Sequence, residues 1–294
     1  MEASDVSRAV AAATSIAAGC NLPVDDATVI HNSNKLALRL LPCDAFARVA
    51  HVGREVAQFE VKVAQGLAES EGCPVAALDP RVAPRVYQQD GFAVTLWTYY
   101  GPQTPRKVSP ADYANALQGL HAGMRRVAVT APHFTDRVAE AQHLISSRDS
   151  TPGLADVDRE LLTNTLRSLR RSIGDRGAAE QLLHGEPHPG HVLSTKNGPL
   201  FIDLETCCRG PVEFDLAHVP EEVSDRYPNV DQALLRDCRT LVLAMVAAWR
   251  WDPGDEFPNG RRAAHKLLSA LREGPPWPSL DVVWSRFEQR PVVD

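Results

Sequence analysis

The fold of this chain is decided by the stretch Leu183–Val219, which reads LHGEPHPGHVLSTKNGPLFIDLETCCRGPVEFDLAHV. It begins with a polar loop, His184–His191, that is rich in Pro and Gly. Asn197-Gly198 then lies between two short apolar runs and predicts a tight β-hairpin, because these residues readily adopt the φ angles of such turns. Asp203 follows the second strand, where an acidic residue serves no packing purpose. A carboxylate in the loop and another at the hairpin's exit would hold two acids near one spot, which suits phosphoryl transfer.

The order and spacing of residues in this stretch resemble the catalytic segment of the aminoglycoside phosphotransferase family, a group of antibiotic and small-molecule kinases. The family pattern is His-Gly-Asp, four residues, Asn, a hairpin, Ile-Asp and a later Asp-Leu-Ala. This chain has His184-Gly185-Glu186, His191, Ile202-Asp203 and Asp215-Leu216-Ala217 at the same spacing. Two residue types differ, because Glu186 stands where the family has Asp and His191 where it has Asn.

The resemblance implies an α+β, bilobal protein-kinase-like fold. Residues 1–100 would form the N-terminal nucleotide-binding lobe, a small antiparallel sheet with one key helix, which ends in the hinge. Residues 101–294 would form a larger, mainly helical C-terminal lobe with the catalytic loop and the acceptor site. The length of 294 residues is sufficient for two such lobes or for one large domain.

Hydrophobic periodicity predicts the individual elements. A helix followed by a meander of three short strands is expected at residues 4–20, 27–31, 36–41 and 45–50. A helix over 53–70 follows, and an apolar strand runs over 91–99. The buried stripe of that helix is expected to consist of Val56, Phe59, Val63 and Leu67. Later helices are expected at 110–124, 134–147, 156–175, 228–251 and 259–272.

Glu60 lies on the apolar face of the predicted helix over 53–70. A buried carboxylate needs a cationic partner, and Arg48 on the third strand is the obvious candidate. In kinase-like folds a Lys on the third strand pairs with a Glu of the next helix and holds nucleotide phosphates. The resemblance extends that role to Arg48 and Glu60, with Glu55 as a competing partner that falls off the apolar stripe. A purely structural ion pair is the alternative.

By resemblance, Glu186 and Asp203 are the catalytic residues. Glu186 would orient the acceptor hydroxyl and accept its proton, and Asp203 would bind a Mg²⁺ ion that bridges the phosphates. His191 would occupy a second metal position, where an imidazole is a softer ligand than the Asn oxygen. It would weaken that site, select a softer metal such as Mn²⁺, or contact phosphate as a cation. His184 and Asp215 would support the catalytic loop, Asp215 by accepting backbone N–H groups.

The resemblance also implies contacts with ATP or GTP in the N-terminal part. Ser33 lies in the turn 31–35, which contains no Gly, and it would contact the phosphates. Trp97 and Tyr99 lie where the last strand runs into the hinge, whose backbone groups would bind the base. Ordinary core or strand aromatics are the alternative interpretation of both side chains.

Composition limits the partners and the location. The net charge of −6 argues against nucleic acid as a partner, because phosphate backbones require clustered Lys and Arg. No window is apolar enough for a membrane span, and the N-terminal Ala-rich run lacks a basic region before it. The six scattered cysteines contain no C-x-x-C pair and fit a reducing compartment. We therefore expect a cytoplasmic protein with a small-molecule hydroxyl acceptor and no nucleic-acid or membrane partner.

The leading hypothesis is a kinase that moves the γ-phosphate of ATP or GTP to a small molecule, such as an aminoglycoside or a related antibiotic. Because Arg48, Glu186 and His191 depart from the family pattern, a non-catalytic nucleotide- or ligand-binding member is the alternative. A metallohydrolase with Zn²⁺ on His184, His188 and His191 would need a helix, which Pro and Gly exclude here. Later acids could line a pocket for a cationic acceptor or simply be exposed: Glu221, Glu222, Asp225, Asp252, Asp255 and Glu256.

Overall fold

Alternating apolar residues build a five-stranded antiparallel sheet in the first hundred residues of the computed structural model. On the second strand, Leu36, Leu38 and Leu40 are fully buried, while Ala37 and Arg39 between them are partly exposed. This period of two is what a strand covered on one face requires. The strands run in the spatial order β1-β2-β3-β5-β4. Their bounds are Val24–Asn32 (β1), Leu36–Pro42 (β2), Ala45–His51 (β3), Tyr87–Gln89 (β4) and Phe92–Thr98 (β5).

The structure describes residue 1 and residues 3–53, 56–101, 108–255, 257–275, 277 and 280. Two residues considered above, Glu55 and Glu256, lie outside these ranges. None of the helices in the described part is long and apolar enough to cross a membrane.

The chain forms two compact units that are each discontinuous in sequence. Unit 1 comprises Met1–Val108, Gly119–Val129 and Val192–Glu205. Unit 2 comprises Ser109–Gln118, Thr130–His191 and Thr206–Asp294. The functional boundary between lobes at residue 100 remains a prediction.

The first helix, Ala3–Gly19 (α1), covers one face of the sheet. It contributes Ala9, Ala12, Ala13 and Ala17 to a core shared with β2, β3 and β5. Small side chains at helical spacing let the helix approach the sheet closely, while the sheet supplies the larger Leu, Val and Phe residues. The predicted helix and meander are therefore confirmed.

The second helix, Val56–Ala68 (α2), buries a face that differs in part from the predicted one. Its buried residues are Glu60, Val61, Val63, Ala64 and Leu67. Val56 is 36% exposed and Phe59 is half-buried, so the predicted stripe is wrong at these two positions. Glu60 is nevertheless on the buried face, as its position on the apolar side suggested.

The predicted hairpin is present in unit 1. Val192–Thr195 and Gly198–Phe201 pair in antiparallel register around a turn in which Gly198 has a φ of +110°. The second strand of this hairpin also bonds to a segment far away in sequence. Phe201 N–H donates to the Pro74 carbonyl, and Ala76 N–H donates to the Phe201 carbonyl, both at 2.9 Å. These bonds fix the residues that follow, including Asp203. In chain order the hairpin strands are β7 and β8. Two further short strands, Gln181–Leu183 (β6) before the hairpin and Cys208–Gly210 (β9) after it, pair with each other in unit 2.

Unit 2 is organised around a buried helix, Gln232–Trp249 (α8). Every residue from Thr240 to Ala248 is buried, so the helix must be covered on all sides. The predicted start at Pro228 is wrong, because the Asp231 carboxylate caps the helix by accepting from the N–H groups of Ala233 and Leu234. The other helices are Pro110–Met124 (α3), Phe134–Ser146 (α4), Asp156–Asp175 (α5), Val212–Leu216 (α6), Glu221–Ser224 (α7) and Gly260–Glu273 (α9).

Candidate functional site

Arg48 joins two carboxylates within unit 1. On β3 its neighbours Ala47 and Val49 are buried toward α1, so the alternation of the strand turns Arg48 to the opposite face. Its Nη1 donates to Glu60 Oε1 on α2, and its Nη2 donates to Asp203 Oδ1 at 2.7 Å. The structure thus brings together three residues predicted from sequence, and the planar guanidinium serves both acids at once.

Glu60 is held in a nearly dry environment. Its side chain is 2% exposed, and Oε1 also accepts the backbone N–H of Leu204 at 3.2 Å. Burial raises the pKa of Glu60 above its ordinary value, although Arg48 and Lys35 act in the opposite direction. Lys35 itself pairs with Glu205 after the hairpin. Lys35 was not singled out from the sequence, because the partner of its side chain, Glu205, is distant along the chain.

Asp203 adopts an unusual backbone conformation. Its φ is +66°, in the left-handed region that non-Gly residues enter at a cost of about 1 kcal/mol. Such a conformation persists when the surroundings determine it, here the hairpin before Asp203 and the Leu204 N–H bond to Glu60 after it. The strained turn positions a carboxylate beside Arg48, where a hard-oxygen metal ligand would serve phosphate chemistry.

The structure gives less support to the other predicted nucleotide contacts. Ser33 is half-buried in the turn between β1 and β2, and its N–H donates to the Lys35 carbonyl at 3.1 Å. Trp97 is a buried strand residue whose Nε1–H donates to Thr95 Oγ1 at 2.8 Å. Tyr99 stacks under Arg39, with the guanidinium 4.3 Å from the ring centroid. Trp97 is therefore packed within β5, Tyr99 lies just after that strand, and the nucleotide contacts of all three residues remain predictions.

The loop after β6 is fixed in unit 2 by Asp215. This fully buried residue accepts the N–H of His184 at 2.9 Å through Oδ2 and the N–H of Gly185 at 2.8 Å through Oδ1. The His184 carbonyl in turn accepts from Thr206 Oγ1 at 3.0 Å. A carboxylate with both oxygens used in this way holds the loop backbone rigidly.

A glycine is required at position 185 because the backbone carbonyl of Thr206 lies very close to it. Its φ is +88°, and a Cβ atom added there would lie 2.0 Å from the carbonyl oxygen of Thr206. Its carbonyl accepts from Nη1 of Arg137, a residue of α4, at 2.9 Å. The loop therefore passes through a tight space in which a side chain at this position cannot be accommodated.

Glu186 forms an ion pair with the same arginine. Nη2 of Arg137 donates to Glu186 Oε1, and the guanidinium also lies 5.1 Å from the ring centroid of Trp249 on α8. Burial alone would raise the pKa of Glu186, but the Arg137 guanidinium outweighs it and lowers that pKa to about 2. Glu186 is therefore a carboxylate at neutral pH, well able to accept a hydrogen bond and weak as a base.

Sequence reasoning missed Arg137 and His218. Arg137 lies inside a predicted helix, 49 residues before its partner, and periodicity does not reveal which face meets the loop. His218 follows α6 and is 5% exposed, and its Nε2 has no hydrogen-bond partner among the residues that the structure describes. Burial lowers the pKa of His218 to about 3, so the ring is neutral. The Asp215-Leu216-Ala217 motif directly before it was the available signal.

Several of the later acids are paired within unit 2 itself. Asp255 accepts from Arg250 Nη1 at 2.7 Å, and Glu221 lies 3.4 Å from Arg239 Nη1. Asp252 accepts the N–H of Gly254 at 2.7 Å, as turn residues do. These contacts favour local structural roles over a shared pocket for a cationic acceptor.

The sequence also matches a known protein family. A model described as the phosphotransferase enzyme family matches residues 33–257 of the chain. None of the curated proteins compared with the chain matched it.

Solved structures similar to the chain include several kinases of small molecules. Amicoumacin kinase hAmiN in complex with AMP-PNP, Ca²⁺ and Ami has a TM-score of 0.68 at 10% identity, over 96% of this chain and 100% of that one. The GDP complex of aminoglycoside 2'-phosphotransferase-IIIa has a TM-score of 0.64 at 13% identity, over 88% and 96%. Choline kinase LicA from Streptococcus pneumoniae has a TM-score of 0.62 at 15% identity, over 88% and 96%. At such identities the similarity shows the fold, and the predicted fold class is confirmed.

Proposed function

Because the chain belongs to the phosphotransferase enzyme family, we propose that it is a cytoplasmic kinase that transfers the γ-phosphate of ATP or GTP to a hydroxyl of a small molecule. The observation that supports this most strongly is the cluster of Arg48, Glu60 and Asp203 in unit 1. A ligand-binding role would account for the positive φ of Asp203 beside this ion pair.

The carboxylate of Asp203 fits a divalent cation that would be bound together with the nucleotide. Asp203 offers carboxylate oxygens, the hard ligands that Mg²⁺ and Mn²⁺ prefer. A bound cation there would neutralise phosphate charge during transfer. Arg48 would hold Asp203 in place and contribute its own positive charge to phosphate binding.

Glu186 has the properties of an orienting carboxylate. With a pKa of about 2 it is ionised at neutral pH, so it accepts a hydrogen bond from the acceptor hydroxyl and points the oxygen for attack. A base this weak removes the proton late, once the bond to phosphorus has formed and the hydroxyl has become acidic. Arg137 and Asp215 keep the loop and its carboxylate in position.

The finer proposal for the acceptor is an antibiotic hydroxyl, such as that of an aminoglycoside. The fold is shared with the amicoumacin and aminoglycoside kinases and equally with choline kinase, so the acceptor must be identified by assay.

The first test is thermal unfolding with ATP or GTP, each with and without Mg²⁺ or Mn²⁺. A ligand that binds the folded chain raises its Tm by mass action, and we expect a metal-dependent rise of about 5 °C. The Asp203→Asn variant should lose this rise, and the exposed Asp25→Asn control should keep it. Absence of any rise at millimolar nucleotide would contradict the proposal.

A mass-spectrometric screen of aminoglycosides, spectinomycin, choline and ethanolamine for phosphate addition then separates a working kinase from a non-catalytic nucleotide-binding member.

A further inference from the structure

Lys35 lies directly before β2 and pairs with an acid that follows the hairpin. The side chains of Lys35 and Glu205 form an ion pair, and Glu205 is two residues beyond Asp203. All three residues belong to unit 1, as does Arg48. We propose, in an inference that rests on the proposed function, that Lys35 is a second phosphate-binding cation beside Arg48 and exchanges Glu205 for the phosphates when nucleotide binds.

The register of the sheet places Lys35 near Arg48. Ala37 of β2 lies directly opposite Arg48 of β3, so the two side chains share a face of the sheet. Leu36 and Leu38, the neighbours of Ala37, are buried in the core that α1 shares, and the alternation of the strand turns Ala37 away from that core. Lys35 precedes Ala37 by two residues. Both cations therefore lie at the same end of the β2–β3 pair.

Glu60 links the two cations. It accepts hydrogen bonds from Arg48 and from the N–H of Leu204, the residue before Glu205. The positive charge of Lys35 also acts on Glu60, where with Arg48 it opposes the rise in pKa that burial causes. Because Lys35 and Arg48 act on one buried carboxylate, an anion bound beside either cation would interact with the charges of both.

The charges of this cluster do not balance. It contains two cations and three carboxylates, namely Lys35, Arg48, Glu60, Asp203 and Glu205. The excess negative charge would repel a polyphosphate, whereas a divalent cation bound at Asp203 would make the excess positive. A phosphate could then replace Glu205 as the partner of Lys35. Because the Lys35 side chain is only 14% exposed, its ammonium group needs an anionic partner before and after the exchange.

Lysine and arginine are suited to different roles in this exchange. Both terminal nitrogens of the Arg48 guanidinium donate to carboxylates, Nη1 to Glu60 and Nη2 to Asp203, and these bonds fix the side chain in place. Lys35 carries a point charge on a flexible stem, which can follow a new partner over a short distance. The turn before β2 also connects Lys35 to a predicted phosphate contact, because the Ser33 N–H donates to the Lys35 carbonyl at 3.1 Å. Of the two cations, Lys35 is therefore the one suited to change partners.

The test is the binding of magnesium tripolyphosphate to the full chain, measured by calorimetry at low ionic strength. Lys35→Met should lower the affinity about tenfold, as expected for the loss of a charge-assisted hydrogen bond. Glu205→Gln should raise the affinity about threefold, because the competing partner of Lys35 loses its charge. When Lys35→Met is already present, Glu205→Gln should give no gain. Lys62→Met, at an exposed lysine of α2, is the matched control and should bind as the native chain does.

An affinity that Lys35→Met leaves unchanged, or a gain from Glu205→Gln that is the same with and without Lys35, would overturn the inference and show a purely structural ion pair. Absence of tripolyphosphate binding to the native chain would overturn it as well. Circular dichroism establishes that each variant is folded, and Lys35→Gln replaces Lys35→Met if the latter unfolds. Tripolyphosphate binding that depends on Lys35, without any binding of ATP or GTP, would contradict the kinase proposal alone.

Discussion

Arg48 pairs with a carboxylate that has almost no access to water, Glu60. Replacing Arg48 by Met would leave a buried charge without its main partner. We expect a loss of about 3 kcal/mol in the free energy of unfolding, measured by urea denaturation. Changing both residues, Arg48→Met with Glu60→Leu, should restore most of that stability, because the uncompensated charge is then gone.

The double variant also separates structure from function at this residue. It should remain folded yet fail to show the metal-dependent rise in Tm with nucleotide. If the double variant bound nucleotide as well as the native chain does, Arg48 would be a structural ion pair and nothing more.

Individual site residues can be predicted from the sequence where they lie in or beside a recognisable strand, helix or hairpin pattern. Arg48 and Glu60 were paired from a strand and the helix that follows it, and Asp203 from the end of a hairpin. Arg137 could not be found in this way, because its contact with Glu186 depends on how α4 packs against a loop far away in the chain.

The loop after β6 depends on a single glycine for its path. In Gly185→Ala the new methyl group would collide with the Thr206 carbonyl, and the φ of +88° would be strained. We expect a loss of about 3 kcal/mol or more in the free energy of unfolding. Gly177→Ala is the control, because its φ of +58° carries similar strain while nothing lies within 4 Å. It should cost about 1 kcal/mol, and equal losses in the two variants would show that the collision is relieved cheaply.

Element boundaries were predicted less well than the elements themselves. Helix α8 was expected from Pro228, but the Asp231 side chain supplies an N-cap that fixes a later start. The stripe of α2 was misplaced at Val56 and Phe59, because periodicity gives the width of an apolar face but not which edge of it the rest of the fold covers.

The stability of the whole molecule should depend on pH through Asp79. This residue is 1% exposed and accepts three hydrogen bonds from Arg81, two of them to Oδ1 and one to Oδ2. The Arg81 guanidinium holds the pKa of Asp79 below its ordinary value of 3.8. Because the folded state favours the ionised form, the stabilisation is complete above that value and is lost as the pH falls through the lower, folded-state pKa.

Asp79→Asn should therefore lower the free energy of unfolding at pH 7 by about 1–2 kcal/mol, a modest loss since Arg81 is half exposed. The difference from the native chain should shrink below about pH 4, in urea titrations at a series of pH values. The exposed Asp149→Asn serves as control and should show little difference at any pH. A deficit for Asp79→Asn that stays constant down to pH 2 would contradict the assignment.

Unit 1 is assembled from segments that the ribosome makes at very different times. Arg48 and Glu60 emerge early, whereas Asp203 and the Phe201 strand that pairs with Pro74 and Ala76 come more than a hundred residues later. At ordinary elongation rates this interval lasts about 10–30 s. During that time Arg48 and Glu60 of the nascent sheet lack their third partner, Asp203. The speed of translation through the helices of unit 2 should therefore influence how much of the protein reaches the folded state.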